Sequence, residues 1–131
     1  ENPTIKVIDF GLAVLPTSVA VGEQTKAGTM IGSPPYMSPE QSRGLDIDLR
    51  SDVYSLGCVL FECLTGRVPF VGDNALATMM MHIDRQPPKL ADVSCPEEFP
   101  PEAESIVAKA LEKDPAHRFQ SMTDMKDSLN K

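Results

Sequence analysis

Apolar residues crowd one stretch more than any other: Val53, Leu56, Val59, Leu60, Phe61 and Leu64, with Cys58 and Cys63 between them, run without proline to Gly66. At a helical period they point in nearly every direction, which predicts a helix over 53–65 lying at the centre of a fold. Ser51 and Asp52 are both good N-cap residues for it, and Gly66 is a natural C-terminal stop. Farther on, Leu76, Met79, Met80 and Ile83 recur at i, i+3, i+4 and i+7, so 74–84 reads as an amphipathic helix with that stripe inward. Pro101 starts a third helix with Ala103, Ile106, Val107, Ala110 and Leu111 on one face, and Asp114-Pro115 ends it. Ser121-x-x-Asp124 is a capping pattern for a last short helix with Met122, Met125 and Leu129 inward. Upstream the pattern changes: Ile5-Lys6-Val7-Ile8 is a β-branched run that predicts a strand, and 12–29 has no sustained period and predicts a long loop. Pro34-Pro35 and Pro39 break regular structure up to Glu40, leaving room for only a short helical turn before Gly44.

Composition narrows the class. At 131 residues and 41% apolar, the chain fits one small globular domain or a piece of a larger one. A formal net charge of −7 argues against a nucleic-acid or anionic-lipid footprint. Cys58, Cys63 and Cys95 are an odd set, and the first two point to different faces of one helix, so a disulfide framework is not expected. Neither the three cysteines nor His82 and His117 have metal-ligand spacing. The longest apolar run, around 56–64, is interrupted by Glu62 and falls short of the roughly 20 residues a membrane span needs. With no charged-then-apolar leader, a cytoplasmic location is expected for this stretch, while a parent protein could still be membrane-anchored.

The candidate chemistry lies ahead of the central helix. Asp9-Phe10-Gly11 opens a polar segment that closes with Gly32-Ser33-Pro34-Pro35-Tyr36-Met37-Ser38-Pro39-Glu40. An Asp-Phe-Gly, a loop carrying hydroxyl residues and a closing Ala-Pro-Glu, in that order, form the downstream half of the protein-kinase signature set. With Ser38-Pro39-Glu40 as its closing triplet, the chain resembles the C-terminal part of a Ser/Thr protein kinase catalytic domain of the bacterial, eukaryotic-like kind. The resemblance covers nearly the whole chain. It implies a mostly α, protein-kinase-like C-terminal lobe: one short N-terminal strand, an activation loop, then about five helices. On that register residues 1–131 are a partial kinase domain, with an activation segment at 9–40 and a helical subdomain at 41–131.

The resemblance also implies roles. Asp9 would hold the Mg²⁺ that bridges ATP phosphates, since a carboxylate is a hard oxygen ligand. Phe10 would pack between the lobes, and Gly11 would free the backbone beside it. Thr25 and Thr29 are the candidate activation-segment phosphosites among the loop hydroxyls, each adding about −1.5 to −2 charge when modified. Ser33 stands where Thr is usual and would position the acceptor in a turn stiffened by Pro34-Pro35. That Pro-Pro-Tyr turn resembles Ser/Thr kinases more than tyrosine kinases. Glu40 and Arg118 would form an ion pair tying the end of the segment to the helical lobe, and Asp52 would meet the catalytic-loop backbone if it is not simply an N-cap.

The implied activity is transfer of the ATP γ-phosphoryl to Ser or Thr hydroxyls of protein substrates, with ATP and Mg²⁺ as cofactors. The Gly-rich loop, the phosphate-pairing Lys and the His-Arg-Asp catalytic loop with the base Asp are not in this sequence. The 131 residues by themselves are therefore expected to be inactive, with no catalytic base of their own. A pseudokinase or scaffold on the same fold is the alternative, and a small helical interaction domain would leave the ordered signatures unexplained.

Overall fold

The computed structural model describes residues 33–93 and 99–130. The expected strand at 5–8 and the segment carrying Asp9, Phe10, Gly11, Thr25 and Thr29 lie outside the described residues. The order is a 3-10 turn at Pro34–Tyr36, then α1 (Pro39–Arg43), α2 (Leu49–Thr65), α3 (Ala75–Asp84), a 3-10 turn at Leu90–Asp92, α4 (Pro101–Ala110), a 3-10 turn at Pro115–His117, and α5 (Met122–Leu129). Among the described residues there is no strand.

Helices α1, α2, α3 and α5 each begin where a side chain takes up a free N–H, whereas Pro100 ahead of α4 offers no such cap. Ser38 and Gln41 form a capping box at α1, with Pro39 in the first helical position. Asn74 accepts from the Ala77 amide at α3, and Ser121 accepts from the Asp124 amide at α5. Helix α2 starts three residues earlier than a Ser51 cap and four earlier than an Asp52 cap would have it, since Asp48 accepts from the Arg50 amide at 2.8 Å. That cap is further held by a 2.6 Å ion pair between Arg50 and Asp48. Ser51 and Asp52 therefore sit inside the first turn, Ser51 buried and Asp52 exposed. At the other end Gly66 has φ 74°, a left-handed conformation that a side chain would resist.

Helix α2 is the axis of the core. Tyr54, Cys58 and Phe61 pack with Leu90, Val93, Val107 and Leu111. Val53 packs with Ile106, Ala110, Phe119 and Met125. Contact between α2 and α4 is close at Gly57, where a Cβ would lie 2.8 Å from that of Ala110. Burial around α2 is not complete: Leu56 and Val59 remain 39% and 40% exposed.

Two expected faces are corrected. In α3 the buried residues are Thr78 and His82, while Leu76 and Met80 are 64% and 48% exposed. The reason is partners: His82 meets Tyr54 and Phe70 edge-on, and the Thr78 hydroxyl accepts from the Gly72 amide and donates to the Asn74 carbonyl. In α5 only Met125 is buried, with Met122 and Leu129 outward. Helix α4 keeps the expected face, with Ile106, Val107 and Ala110 buried and Leu111 buried just past its end. It stops at Ala110, ahead of Asp114-Pro115. No described helix is long and apolar enough to cross a membrane.

Candidate functional site

The described part of the site is a turn and the clamp beneath it. Ser33 is exposed and opens the 3-10 turn, its carbonyl accepting from the Tyr36 amide at 3.0 Å. The turn is tied to α2 twice: the Tyr36 phenol donates to Glu62 at 2.7 Å, and the Ser55 hydroxyl donates to the Tyr36 carbonyl at 2.8 Å. The hydrogen bond to the Glu62 carboxylate holds the phenol proton and pushes the Tyr36 pKa up.

Three residues farther, at the start of α1, the chain is fastened by the most buried charge cluster among the described residues. Arg118 Nη1 and Nη2 donate to Glu40 Oε1 and Oε2, both at 2.8 Å, across 78 positions of sequence. The remaining guanidinium protons go to backbone carbonyls: Nε to Glu112 at 2.7 Å, Nη1 to Arg50 at 2.9 Å and Nη2 to Lys113 at 3.0 Å. All five N–H donors of the planar fork are thus engaged. Ser51 Oγ donates to Glu40 Oε1 at 2.6 Å, and the guanidinium lies 4.9 Å from the centre of the Tyr54 ring. Side-chain exposure is 0% for Arg118 and 9% for Glu40. Burial alone would raise the Glu40 carboxyl, but the hydrogen bonds from Arg118 and Ser51 outweigh it and hold the pKa at about 2. The pair is charged at neutral pH and joins α1, the start of α2 and the 112–118 connection.

A second polar chain lies behind the turn. Lys113 Nζ donates to the Tyr54 hydroxyl at 3.2 Å and to the His82 carbonyl at 2.8 Å, and sits 4.4 Å from the centre of the Phe70 ring. Tyr54 and His82 Nδ1 share a hydrogen bond of 3.0 Å. Burial pulls the Lys113 ammonium down to about 8 and, with the Lys113 charge, the His82 imidazole down to about 4.

Of the residues singled out in the sequence, the structure brings Glu40 and Arg118 into contact. It places Ser33 seven residues before Glu40 on the segment that Glu40 ends, and leaves Asp52 exposed. Tyr54 and Lys113 were not picked out in the sequence, Ser51 was read there only as a helix cap, and His82 was set aside as a metal ligand. The available signal was the pair Thr78 and His82 at i and i+4 on the polar side of a helix read as amphipathic. Among the described residues no group of three or more His, Cys, Asp or Glu side chains could hold a metal ion.

A buried glutamate just past a proline-stiffened turn is thus locked by an arginine from the far end of the helical unit. Residues 1–129 match the protein kinase domain family, and the chain belongs to it. It is 44% identical, over 98% of its length, to the serine/threonine-protein kinase PknB of Mycolicibacterium smegmatis. It is 41% identical over 98% of its length to the probable serine/threonine-protein kinase PknB of Bifidobacterium longum, and 40% identical over 95% to the PknB of Mycobacterium leprae. The chain spans about a fifth of the length of these curated relatives, 18–20%.

Proposed function

We propose that this chain is the substrate-receiving C-terminal part of a Ser/Thr protein kinase domain, with an activation segment at 9–40 and a helical subdomain at 41–131. The observation that carries the reading is the Arg118 clamp, two of whose five hydrogen bonds hold Glu40 while three tie it to the backbone, just past the turn that Ser33 opens. In this reading Ser33 positions the acceptor hydroxyl, and Thr25 or Thr29 is phosphorylated to set the segment. Phe10 and Gly11 set the start of the segment, and Asp52 faces the catalytic-loop backbone.

Asp9 is the residue that would hold Mg²⁺. The support for it is its place in the Asp-Phe-Gly motif, since it lies outside the described residues. Mg²⁺-ATP supplies the γ-phosphoryl group; the acceptor oxygen ends as a phosphate ester and ADP leaves. What this chain's own residues contribute is placement. The turn is held at Tyr36 and the segment end at Glu40, so an acceptor bound there meets a fixed backbone, which is how positioning lowers a barrier. Protein substrates and ATP are the partners, nucleic acid is not, and the domain works in the cytoplasm.

The test is transfer from radiolabelled ATP by the full-length protein that carries this sequence, followed by phosphoamino-acid analysis. Label on serine and threonine supports the reading. ATP binding with no transfer would instead make the protein a pseudokinase or scaffold.

A further inference from the structure

Two buried side-chain atoms among the described residues have no hydrogen-bond partner, Ser42 Oγ and His82 Nε2. The second is informative because the tautomer of His82 follows from its neighbours. A Lys113 ammonium can only donate, so the Tyr54 oxygen accepts from it. The single phenol proton is then left for His82 Nδ1, 3.0 Å away. Nδ1 accepts, and Nε2 carries the ring proton. His82 is 0% exposed, so this N–H is a donor shut away from water. Burial keeps the ring neutral near pH 7.

Besides Tyr54 and Phe70, the backbone of Pro34 and Pro35 lies near enough to that ring to favour its protonated form, although neither carbonyl reaches Nε2 in hydrogen-bonding geometry. Helix α3 packs directly against the Pro34–Tyr36 turn. Two consecutive prolines have no N–H of their own, so the turn offers acceptors without competing donors. The Pro34 carbonyl accepts only a long bond, 3.4 Å, from the Met37 amide. A buried unpaired donor on a helix packed against a turn with under-used acceptors is an arrangement that a small movement of the turn would satisfy.

We propose that His82 is a positioning residue for the substrate-facing turn: Lys113 and Tyr54 fix its tautomer, and its Nε2–H closes on the Pro34-Pro35 carbonyls when a protein substrate loads the turn. The proposal rests on the reading of Ser33–Tyr36 as that turn. The relay runs from the 112–118 connection through α2 and α3 to the turn, and it shares Lys113 and Tyr54 with the Arg118 clamp.

The experiment uses the full-length protein and the variants His82→Phe and His82→Gln. Phenylalanine keeps a ring edge in the site but no donor, whereas the glutamine amide restores a donor near the Nε2 position. His82→Phe should raise KM for a protein substrate about tenfold, with kcat and KM for ATP changed less than about twofold. His82→Gln should recover most of that loss. Nitrogen-15 NMR of the imidazole should show a protonated Nε2, a bare Nδ1, and an Nε2 signal that moves on addition of a substrate peptide. An unchanged KM in the phenylalanine variant, or no recovery by glutamine when both are folded, would overturn the proposal. So would the opposite tautomer, which is readable even if a variant does not fold. A wild-type protein that transfers no phosphate would refute the kinase reading itself, and His82 would then be judged by the tautomer alone.

Discussion

Replacing Arg118 with alanine removes five hydrogen bonds at once, two to Glu40 and three to the carbonyls of Arg50, Glu112 and Lys113. The carboxylate is left buried without its counter-charge, which costs on the order of 3–5 kcal/mol. The three carbonyls lose their donor, but the space vacated by the side chain can admit water, so they add little beyond the upper end of that range. Glu40→Ala is milder. The guanidinium keeps its three carbonyl partners and its Tyr54 contact, so about 3 kcal/mol is expected, from two unpaired donors and an uncompensated charge. In the double variant no lone charge remains, and its loss should fall short of the sum by about 2–3 kcal/mol. The assay is urea unfolding of the full-length protein and its three variants, followed by helix circular dichroism, with unchanged denaturant slopes as the check that the same transition is compared. Additive losses, each below about 1 kcal/mol, would mean that the two residues behave as separate surface charges and that the clamp does not exist in solution.

Further outcomes follow from the same contacts. The Glu40 pKa lies below its ordinary 4.5, at about 2, so its contribution is complete above pH 4.5 and is lost as pH falls toward 2. Acid unfolding monitored across that window should show a loss of about 3 kcal/mol, and Glu40→Gln should flatten it. Gly57→Ala places a methyl 2.8 Å from the Ala110 Cβ and 3.2 Å from Leu111 Cδ2. It should destabilise the fold by about 1–3 kcal/mol in a denaturant titration. Burial pushes the Cys58 thiol up to about 12, whereas Cys63 is exposed on the same helix. Alkylation at about pH 8 followed by peptide mass spectrometry should label Cys63 and spare Cys58 until the protein is unfolded.

Legibility differed from element to element for physical reasons. The starts of α3 and α5, the Gly66 stop of α2 and the buried face of α4 could be read because capping and apolar periodicity are local. The start of α2 was displaced because Asp48, Ser51 and Asp52 can all cap, and only the fold decides that Ser51 is needed inside to bond Glu40. Helix α3 was read with its apolar stripe inward, yet Thr78 and His82 are the buried pair. Counting apolar residues cannot register that Tyr54, Lys113 and the Gly72 amide wait there as partners. Contact between Glu40 and Arg118 spans 78 positions, and no pattern of charge or period links them. Only the family motif paired these two in advance. The roles of Ser33 and Asp9 rest on that motif too, since an exposed serine and a carboxylate outside the described residues carry no geometric signature of their own.

What we propose, centrally, is that this sequence belongs to a working Ser/Thr kinase in which Asp9 would hold the Mg²⁺. Radiolabelled phosphoryl transfer at saturating Mg²⁺, compared between the full-length protein and its Asp9→Asn variant, tests it most directly. The account predicts label on serine and threonine in the parent and at least about a hundredfold loss in the variant, with the unfolding curve unchanged. Equal turnover in a folded Asp9→Asn protein would contradict it.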